Sequence, residues 1–399
     1  LQNQGKGVFV DRTFEAGLGG VHRPSQTAAW ADFDNDGDLD LYVGNETKPD
    51  FSAPCQLFQN KGDGTFIDIA EQARVTNDRF TKGVVWGDIN GDRWPDLIVS
   101  NLDSENRLYL NQGDGTFQDI ANSAGVTHPK RSFPAWTWDF DNDGLLDIFI
   151  SSYSGKTGDF MLHAIGQRSN IELPGHYRGD GKGKFVNLSK EHGLAQPMLP
   201  MGSNFGDLNN DGYLDFYLGT GEPNVSVIVP NMMFLNDRGK RFIEVTMAGG
   251  FGHLQKGHAV VFADYDEDGD QDVFEQMGGS KPVDEYRDAL YQNPGFGRTW
   301  LKIRVVGKTS NRSGIGARIH AQFKEGNRLR SLYRHVGSGG SFGSNPLQQH
   351  LGLGSASEIV RLEVFWPTSN TRQVFENVKT GQSIEVTEGE ETFRVIPRR

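Results

Sequence analysis

The sequence predicts an all-β fold that has two parts, and three observations lead to this prediction. The 399 residues include 51 glycines and 26 phenylalanines, a composition typical of short strands joined by tight turns. An aspartate-rich segment recurs five times between apolar runs before residue 293. Beyond residue 293 this segment is absent, and apolar and polar residues alternate as they do in half-buried strands.

Composition and charge narrow the class of protein. Apolar residues make up 36% of the chain, enough for a packed core. The formal net charge of −12, from 52 acidic and 40 basic residues, argues against a nucleic-acid-binding surface. Cys55 is the only cysteine, so no internal disulfide forms, and no apolar run has the length of a transmembrane segment. The first residues are not a signal peptide, and we expect a secreted or periplasmic protein whose signal has been removed.

Five aspartate-rich segments define the repeats. A strand, a glycine turn and another strand follow in most repeats, so each repeat supplies about four strands. Radial stacking of four-stranded units covers both of their faces, which favours a β-propeller over a solenoid or separate hairpins. The segments are DFDNDGDLD at 32–40, DINGDRWPD at 88–96, DFDNDGLLD at 139–147, DLNNDGYLD at 207–215 and DYDEDGDQD at 264–272. We therefore predict a propeller over residues 1–293, with five blades by direct count.

The two ends of the repeat region predict how the ring closes. Repeat five stops after LYQN at 290–293 without a fourth strand, and GVFVDRTFEAGL at 7–18 matches the missing strand. We therefore expect the amino-terminal strand to complete the last blade. A larger ring of up to seven blades, which also uses carboxy-terminal strands, is left open.

The spacing of the acids predicts metal sites. Acids or amides occupy positions 1, 3 and 5 of each segment, and an aspartate occupies position 9, so that their oxygens point at one centre. Calcium takes about six to eight hard oxygen ligands, and the variable position 7 fits a ligand that is a backbone carbonyl. The predicted calcium ligands are Asp32, Asp34, Asp36, Asp38, Asp40, Asp88, Asn90, Asp92, Trp94, Asp96, Asp139, Asp141, Asp143, Leu145, Asp147, Asp207, Asn209, Asp211, Tyr213, Asp215, Asp264, Asp266, Asp268, Asp270 and Asp272.

We expect about five calcium ions, and we expect them to be structural. Carboxylates this close would repel one another without a cation. Five Ca²⁺ ions would change the formal charge from −12 to about −2. Repeat two departs from the pattern because its position 6 is Arg93 rather than glycine. Whether its loop binds metal is left open.

Two family resemblances rest on these motifs. The loops resemble the FG-GAP, or VCBS, repeat of integrin α-subunits and related bacterial propellers, which implies one calcium ion between two strands of a blade. The first four loops lack the glutamate at position 12 of an EF-hand, and strands rather than helices flank all five loops. The segments NRSGIGARI at 311–319, QHLGLG at 349–354, VFWP at 364–367 and SIEVTEG at 383–389 resemble the ASPIC/UnbV domain. This pairing is similar to the cartilage acidic protein-like family, which implies a role in extracellular interaction.

The carboxy-terminal residues 294–399 form the second predicted unit. Of the 40 lysines and arginines, 16 lie there. Alternating runs such as WLKIRVV at 300–306 and IVRLEVFW at 359–366 indicate about seven strands. A small β-sandwich-like domain fits this number of strands.

Basic residues suggest a second site. Loops that enter the innermost strands meet at the mouth of the central channel, where propellers usually bind ligands. One interpretation of their charge is a funnel for an anionic ligand, and the other, which we favour, is compensation for neighbouring aspartate loops. The candidate ligand-binding residues are Arg79, Lys82, Arg131, Lys256 and His258.

The motifs favour a secreted, calcium-dependent binding or scaffold protein whose partner is an extracellular protein or glycan. The sequence contains no nucleophile elbow, zinc signature, P-loop or dinucleotide fingerprint. The alternative is an enzyme similar to lyases or dehydratases, with its site at the channel mouth. That alternative requires His258, Arg131 and either Glu275 or Tyr153 to converge in one pocket.

Overall fold

The structure is a computed structural model that describes residues 1–20, 22–222, 227–279, 286–339 and 342–398. It is all-β apart from two short helices, α1 (Ala121–Ala124) and α2 (Thr157–Ala164). None of the helices in these ranges is long and apolar enough to cross a membrane. The strands are β1 (Gln2–Gly5), β2 (Val8–Val10), β3 (Ser25–Ala31), β4 (Asp40–Asn45), β5 (Gln56–Asn60), β6 (Phe66–Asp68), β7 (Thr81–Gly87), β8 (Asp96–Asn101), β9 (Arg107–Asn111), β10 (Phe117–Asp119), β11 (Ser132–Trp138), β12 (Asp147–Ser152), β13 (Gly175–Gly179), β14 (Phe185–Asn187), β15 (Pro200–Gly206), β16 (Asp215–Thr220), β17 (Met232–Asn236), β18 (Phe242–Glu244), β19 (Gly257–Ala263), β20 (Asp272–Met277), β21 (Ala289–Tyr291), β22 (Thr299–Val306), β23 (Arg318–Glu325), β24 (Arg328–His335), β25 (Gln349–Gly354), β26 (Glu358–Trp366), β27 (Thr371–Lys379), β28 (Gln382–Thr387) and β29 (Arg394–Ile396).

Five antiparallel sheets form the blades of a β-propeller. The first four sheets are β3–β6, β7–β10, β11–β14 and β15–β18, and the fifth, β19–β21, has three strands among the described residues. The innermost strands β3, β7, β11, β15 and β19 are neighbours in that order. Apolar clusters fill the space between successive blades, as radial stacking requires. The all-β propeller prediction is confirmed.

Tryptophans that precede the aspartate-rich segments pack blade against blade. The indole of Trp86 donates a hydrogen bond from Nε1 to the carbonyl oxygen of Ala29 in the preceding blade, at 3.1 Å. Trp136 packs against Phe216 of the following blade, with ring centroids 5.8 Å apart. These tryptophans therefore belong to the core between blades.

The prediction that the amino-terminal strand completes blade five is wrong. Strand β2 pairs with β1 and not with β21, because a tight turn joins β1 to β2 and such a local hairpin closes at a smaller entropic cost than a first-to-last pairing. The segment that follows nevertheless lies beside blade one, where the carbonyl of Ala16 accepts the N–H of Phe66 at 2.9 Å. The equivalent contact between blades one and two joins Ala73 and Phe117 at 3.0 Å.

The carboxy-terminal strands form a sandwich of their own and not additional blades, so the larger ring is wrong as well. One sheet has the order β24-β23-β26-β27 and the other β25-β22-β28-β29, with β22 and β28 parallel. Both sheets contribute to one buried core, which includes Leu301, Ile319, Leu351 and Trp366. We call this unit the C-terminal sandwich.

A loop of the C-terminal sandwich enters the propeller between the inner strands. This channel loop joins β24 to β25, and its residues 336–339 and 342–348 are described. The hydroxyl of Ser338 accepts the N–H of Trp30 in blade one at 3.1 Å. The carbonyl of Phe342 faces the N–H groups of Ser203 and Val260 in blades four and five, each at 3.4 Å. The channel loop thus bridges the first blade and the last two.

Candidate metal centres

The five aspartate-rich segments fold into one backbone conformation. Each segment turns from the innermost strand of a blade to the second strand. Positions 4 and 6 have positive φ in every loop, which explains why asparagine and glycine are common there. Arg93 adopts a φ of 79° at position 6, so loop two keeps the shared conformation despite its different sequence. The φ values at positions 4 and 6 are 54° and 98° at Asn35 and Gly37, 77° and 79° at Gly91 and Arg93, 58° and 87° at Asn142 and Gly144, 55° and 91° at Asn210 and Gly212, and 61° and 103° at Glu267 and Gly269.

The aspartate at position 1 holds the turn. In loop one, the carboxylate of Asp32 accepts the N–H groups of Asp36 at 3.0 Å and Gly37 at 3.2 Å. The corresponding carboxylates accept N–H groups of the turn in the other four loops. The repeated bonds orient these carboxylates, which are buried in loops one, three and four, toward the inside of each loop.

The aspartate at position 9 joins the loop to the third strand of its blade. In loop one, Asp40 accepts the N–H of Phe33 at 3.2 Å through one oxygen and the N–H of Asn60 at 2.8 Å through the other. The same two bonds recur in the other loops. Position 9 is therefore a structural anchor in addition to being a predicted metal ligand.

An asparagine at the end of the third strand links neighbouring loops, and the sequence reasoning missed it. The side-chain amide of Asn111 donates to the carbonyls of Pro95 in its own loop, at 3.1 Å, and Phe33 in loop one, at 2.8 Å. Asn236 and Asn293 make the same pair of bonds in blades four and five. The signal was present in the LN pairs at 110–111 and 235–236 and the QN pair at 292–293, which precede the glycine turns.

Carboxylate oxygens converge in loops one, three and five. Three carboxylates in each of these loops have oxygens within 4.8 Å of one another. One buried oxygen in each set, on Asp34, Asp141 or Asp264, has no hydrogen-bond partner among the described residues. Buried unpartnered oxygens of this kind fit a hard cation such as Ca²⁺. Loops two and four have Asn90 and Asn209 at position 3, so an amide oxygen stands in for one carboxylate.

Burial raises the pKa of the loop carboxyl groups. Removal from water disfavours the charged form and raises the pKa of Asp32 to about 6, of Asp139 and Asp207 to about 7, of Asp40 to about 8 and of Asp147 to about 9. Neighbouring loop aspartates raise these pKa values further. A bound divalent cation would counter both effects by favouring the ionised form.

The C-terminal sandwich covers the face of the propeller that carries these loops. Several of its cations approach loop aspartates, with Arg318 at 3.4 Å from Asp88, Arg298 at 3.7 Å from Asp211 and Arg334 at 3.9 Å from Asp207. Lys302 forms an ion pair with Asp264 in loop five. In loop one the contact is neutral, because the hydroxyl of Thr368 donates to Asp32 at 2.6 Å. Sequence reasoning did not place the two units against each other.

The tripeptide Arg178-Gly179-Asp180 belongs to the third blade. Arg178 forms ion pairs with Asp141 at 3.0 Å and with Asp143 at 2.9 Å, both in loop three. Asp180 accepts N–H groups within its own turn. Each charged group of the tripeptide thus serves the fold of its own blade.

The candidate ligand-binding residues precede or begin inner strands, at the end opposite the metal loops. Lys82 is buried in an ion pair with Glu46, and Arg131 pairs with Asp103 at 3.1 Å. Arg79 donates to a backbone carbonyl and His258 contacts the carbonyl of Gly278 at 2.7 Å. The fifth residue of the set, Lys256, is buried. The acidic partners seen for Lys82 and Arg131 are not aspartates of the metal loops, in contrast to the interpretation favoured from the sequence.

The residues that an enzyme would need each have partners elsewhere. Glu275 is fully buried and accepts a hydrogen bond from the hydroxyl of Tyr217 at 2.9 Å. The hydroxyl of Tyr153 donates to the carbonyl of Gly221 at 3.0 Å. Burial raises the pKa of Glu275 to about 8. This carboxyl group therefore belongs to the core of blades four and five rather than to an open pocket.

A cavity of about 110 Å³ lies between the inner strands and the C-terminal sandwich. Its walls are largely apolar and include Trp30, Trp86, Trp136, Phe205 and Val336. A space of this size holds a few water molecules or one small apolar group. Residues 336–339 of the channel loop also line this cavity.

Comparisons with known proteins agree with the motifs. The FG-GAP-like repeat family matches residues 50–99, 88–150 and 139–218, and the ASPIC and UnbV family matches residues 307–393. Cartilage acidic protein 1 of Homo sapiens is 30% identical over 235 residues, which cover 56% of this chain and 32% of the relative. The Xenopus tropicalis protein of the same name is 29% identical over 270 residues, which cover 65% and 38%. The chain thus spans about a third of the length of these curated relatives.

The solved structures that match have low TM-scores and are distant in sequence. Saccharomyces cerevisiae Sqt1 has a TM-score of 0.38 at 8% identity, over 91% of this chain and 78% of that chain. The Dos1 propeller has a TM-score of 0.36 at 11% identity, over 87% and 70%. The assignment therefore rests on the repeats, the blades and the family matches. The chain is an FG-GAP-repeat propeller with an ASPIC and UnbV domain, and it is related to cartilage acidic protein 1.

Proposed function

We propose that this protein is a secreted or periplasmic binding or scaffold protein whose propeller is stabilised by about five structural calcium ions. The observation that carries the proposal is the repetition of one loop conformation around inward-facing carboxylates, with unpartnered buried oxygens in three loops. Calcium would supply the positive charge that such carboxylates need in order to stay ionised when buried. The chain's own residues orient the oxygens and tie each loop to its blade.

The anchoring aspartates explain why calcium in these loops would be structural. Position 9 contacts the turn and the third strand at once, so an ion bound beside it would couple loop and blade. Metal binding of this kind contributes directly to the free energy of unfolding. An extracellular setting, where calcium is plentiful, suits such a design, and the name of the relatives, cartilage acidic protein, is consistent with it.

The binding partner in this proposal is an extracellular protein or glycan. Arg79, Arg131 and His258 are at least partly exposed at the propeller face opposite the C-terminal sandwich, and an anionic ligand would contact them there. Arg131 already forms an ion pair with Asp103, whereas Arg79 and His258 contact the backbone carbonyls of Glu105 and Gly278. No specific observation favours the enzyme alternative, since Glu275 and Tyr153 are held by contacts within the fold.

Metal analysis and thermal unfolding test the calcium proposal. The purified protein should contain about five calcium ions per chain, and an excess of chelator should lower the melting temperature strongly. Magnesium should restore little of the lost stability, because it demands a smaller octahedral site. A protein that contains little metal and melts at the same temperature with and without chelator would show that the loops are merely acidic turns.

A further inference from the structure

Lys302 places an ammonium group inside one of the five metal loops. It lies on β22 of the C-terminal sandwich, and its Nζ forms an ion pair with Oδ2 of Asp264, position 1 of loop five. The side chains are only 10% and 3% exposed, so the pair is shielded from water. The ring of Trp300 lies 5.0 Å from Nζ and provides a further contact for the cation.

The carboxylate that Lys302 contacts is also central to the predicted calcium site. Asp264 belongs to the set, with Asp266 and Asp272, whose oxygens lie within 4.8 Å of one another. Its Oδ2 already accepts the N–H of Gly269 at 2.8 Å, and its Oδ1 is buried without a partner among the described residues. A calcium ion bound to Asp264 would lie about 2.3–2.6 Å from a carboxylate oxygen. That ion would lie close to the ammonium of Lys302, and the two positive charges would repel.

Loop five differs from loop one in the charge of the group that contacts its first aspartate. In loop one the C-terminal sandwich contributes a neutral hydroxyl, from Thr368, to Asp32. Among the described residues, the aspartates of loop one form no ion pair with a lysine or arginine. Asp266 and Asp268 of loop five are exposed, so that calcium in solution has access to this loop.

We propose that Lys302 and calcium compete for loop five, so that calcium binding releases this contact between the C-terminal sandwich and the propeller. The inference rests on the proposed function, namely that the loops bind calcium. At low calcium, Lys302 neutralises Asp264 and holds β22 against blade five. At high calcium the ion replaces the ammonium, and the contact of Lys302 with the loop is lost. The affinity of loop five for calcium is thereby lowered by a contact from the C-terminal sandwich.

Calcium titration calorimetry on Lys302→Met tests the competition. Methionine keeps most of the apolar stem but removes the charge, so we expect one of the calcium sites, that of loop five, to bind at least tenfold more tightly than in the wild type. Lys379→Met is the matched control, because Lys379 is exposed on β27 and lies in the same sandwich. Equal calcium affinities in wild type and Lys302→Met would overturn the competition and leave the proposed function intact. No calcium binding by any of the three proteins would overturn both.

A second measurement uses the wild-type protein and does not depend on the variant folding. Lysine acetylation by an N-hydroxysuccinimide ester, read by mass spectrometry, reports the accessibility of each amine. The rate at Lys302 should rise at least fivefold when calcium is added, while the rate at Lys379 stays constant. A rate at Lys302 that is unchanged or lower in calcium would refute the release of this contact.

Discussion

Replacement of His176 by leucine should stabilise the propeller, and the gain should grow as the pH falls. His176 lies on the third strand of blade three, where blades one, two and four have the buried residues Leu57, Leu108 and Met233. Both ring nitrogens of His176 are buried without a hydrogen-bond partner among the described residues. A leucine at this position removes a desolvated polar group, and we expect a gain of about 1 kcal/mol in the free energy of unfolding at pH 7.

The pH dependence follows from the pKa of the same imidazole. Burial, aided by the neighbouring His192, lowers the pKa of His176 from 6.5 to about 3. In the unfolded chain the ring binds a proton below pH 6.5, whereas in the folded protein it stays neutral, so stability is lost as the pH falls from 6.5 toward 3. At about 1.36 kcal/mol per pH unit, the loss at pH 5 is about 2 kcal/mol. His176→Leu should therefore exceed the wild type by about 3 kcal/mol at pH 5.

The assay is urea unfolding at pH 7 and pH 5 in saturating calcium, followed by tryptophan fluorescence. Trp138 packs against His176 with ring centroids 5.9 Å apart, which makes it a local reporter. His163→Leu is the matched control, because His163 lies in helix α2 away from the buried core. If the free energies of unfolding of His176→Leu and the wild type differ by the same amount at both pH values, the proposal that His176 is neutral in the folded protein is refuted.

Three further substitutions test the loops and the contacts between blades. Asn236→Ala should lower the free energy of chemical unfolding by about 2–3 kcal/mol, because the buried carbonyls of Phe140 and Leu214 lose their donor. A decrease below about 0.5 kcal/mol would contradict that role. Asp96→Asn should lower the free energy of unfolding by about 1–3 kcal/mol even in chelator, because the side-chain amide accepts at one atom only. An unchanged free energy of unfolding would show that the two bonds of Asp96 are dispensable. Trp86→Phe should keep the ring packing but lose the hydrogen bond to Ala29, which lowers the free energy of unfolding by about 1 kcal/mol in differential scanning calorimetry. A decrease above about 3 kcal/mol would show that the packing itself is disturbed.

The repeats made the blades and the loops predictable, because the same local pattern occurs five times. Arg93 departs from the pattern in sequence, but it adopts the same positive φ as the glycines at position 6 of the other loops. The partner of β2 was not predictable in the same way, because a repeat shows which strand is similar and not which neighbour it pairs with. Local pairing with β1 prevailed.

The position of the C-terminal sandwich lay beyond sequence reasoning for a related reason. Its contacts with the loops join residues far apart in sequence that follow no repeat, such as Thr368 with Asp32 and Ser338 with Trp30. The excess of basic residues in 294–399 was visible, but nothing in the composition indicated that Lys302 would face a metal loop. Charge complementarity between two parts of a chain becomes informative only when their surfaces are known.

The asparagines of the third strands make the loops a linear chain of dependent units. Asn111 donates to a carbonyl of loop one, and its own N–H is bound by Asp96 of loop two, so disorder in one loop removes a donor from the preceding loop. In such an array the free energy of each unit depends on its neighbour, as in nearest-neighbour descriptions of repeat proteins. Ion occupancy should therefore be cooperative along the direction of the chain, and blade three, where Gly179 replaces the asparagine, should interrupt that cooperativity.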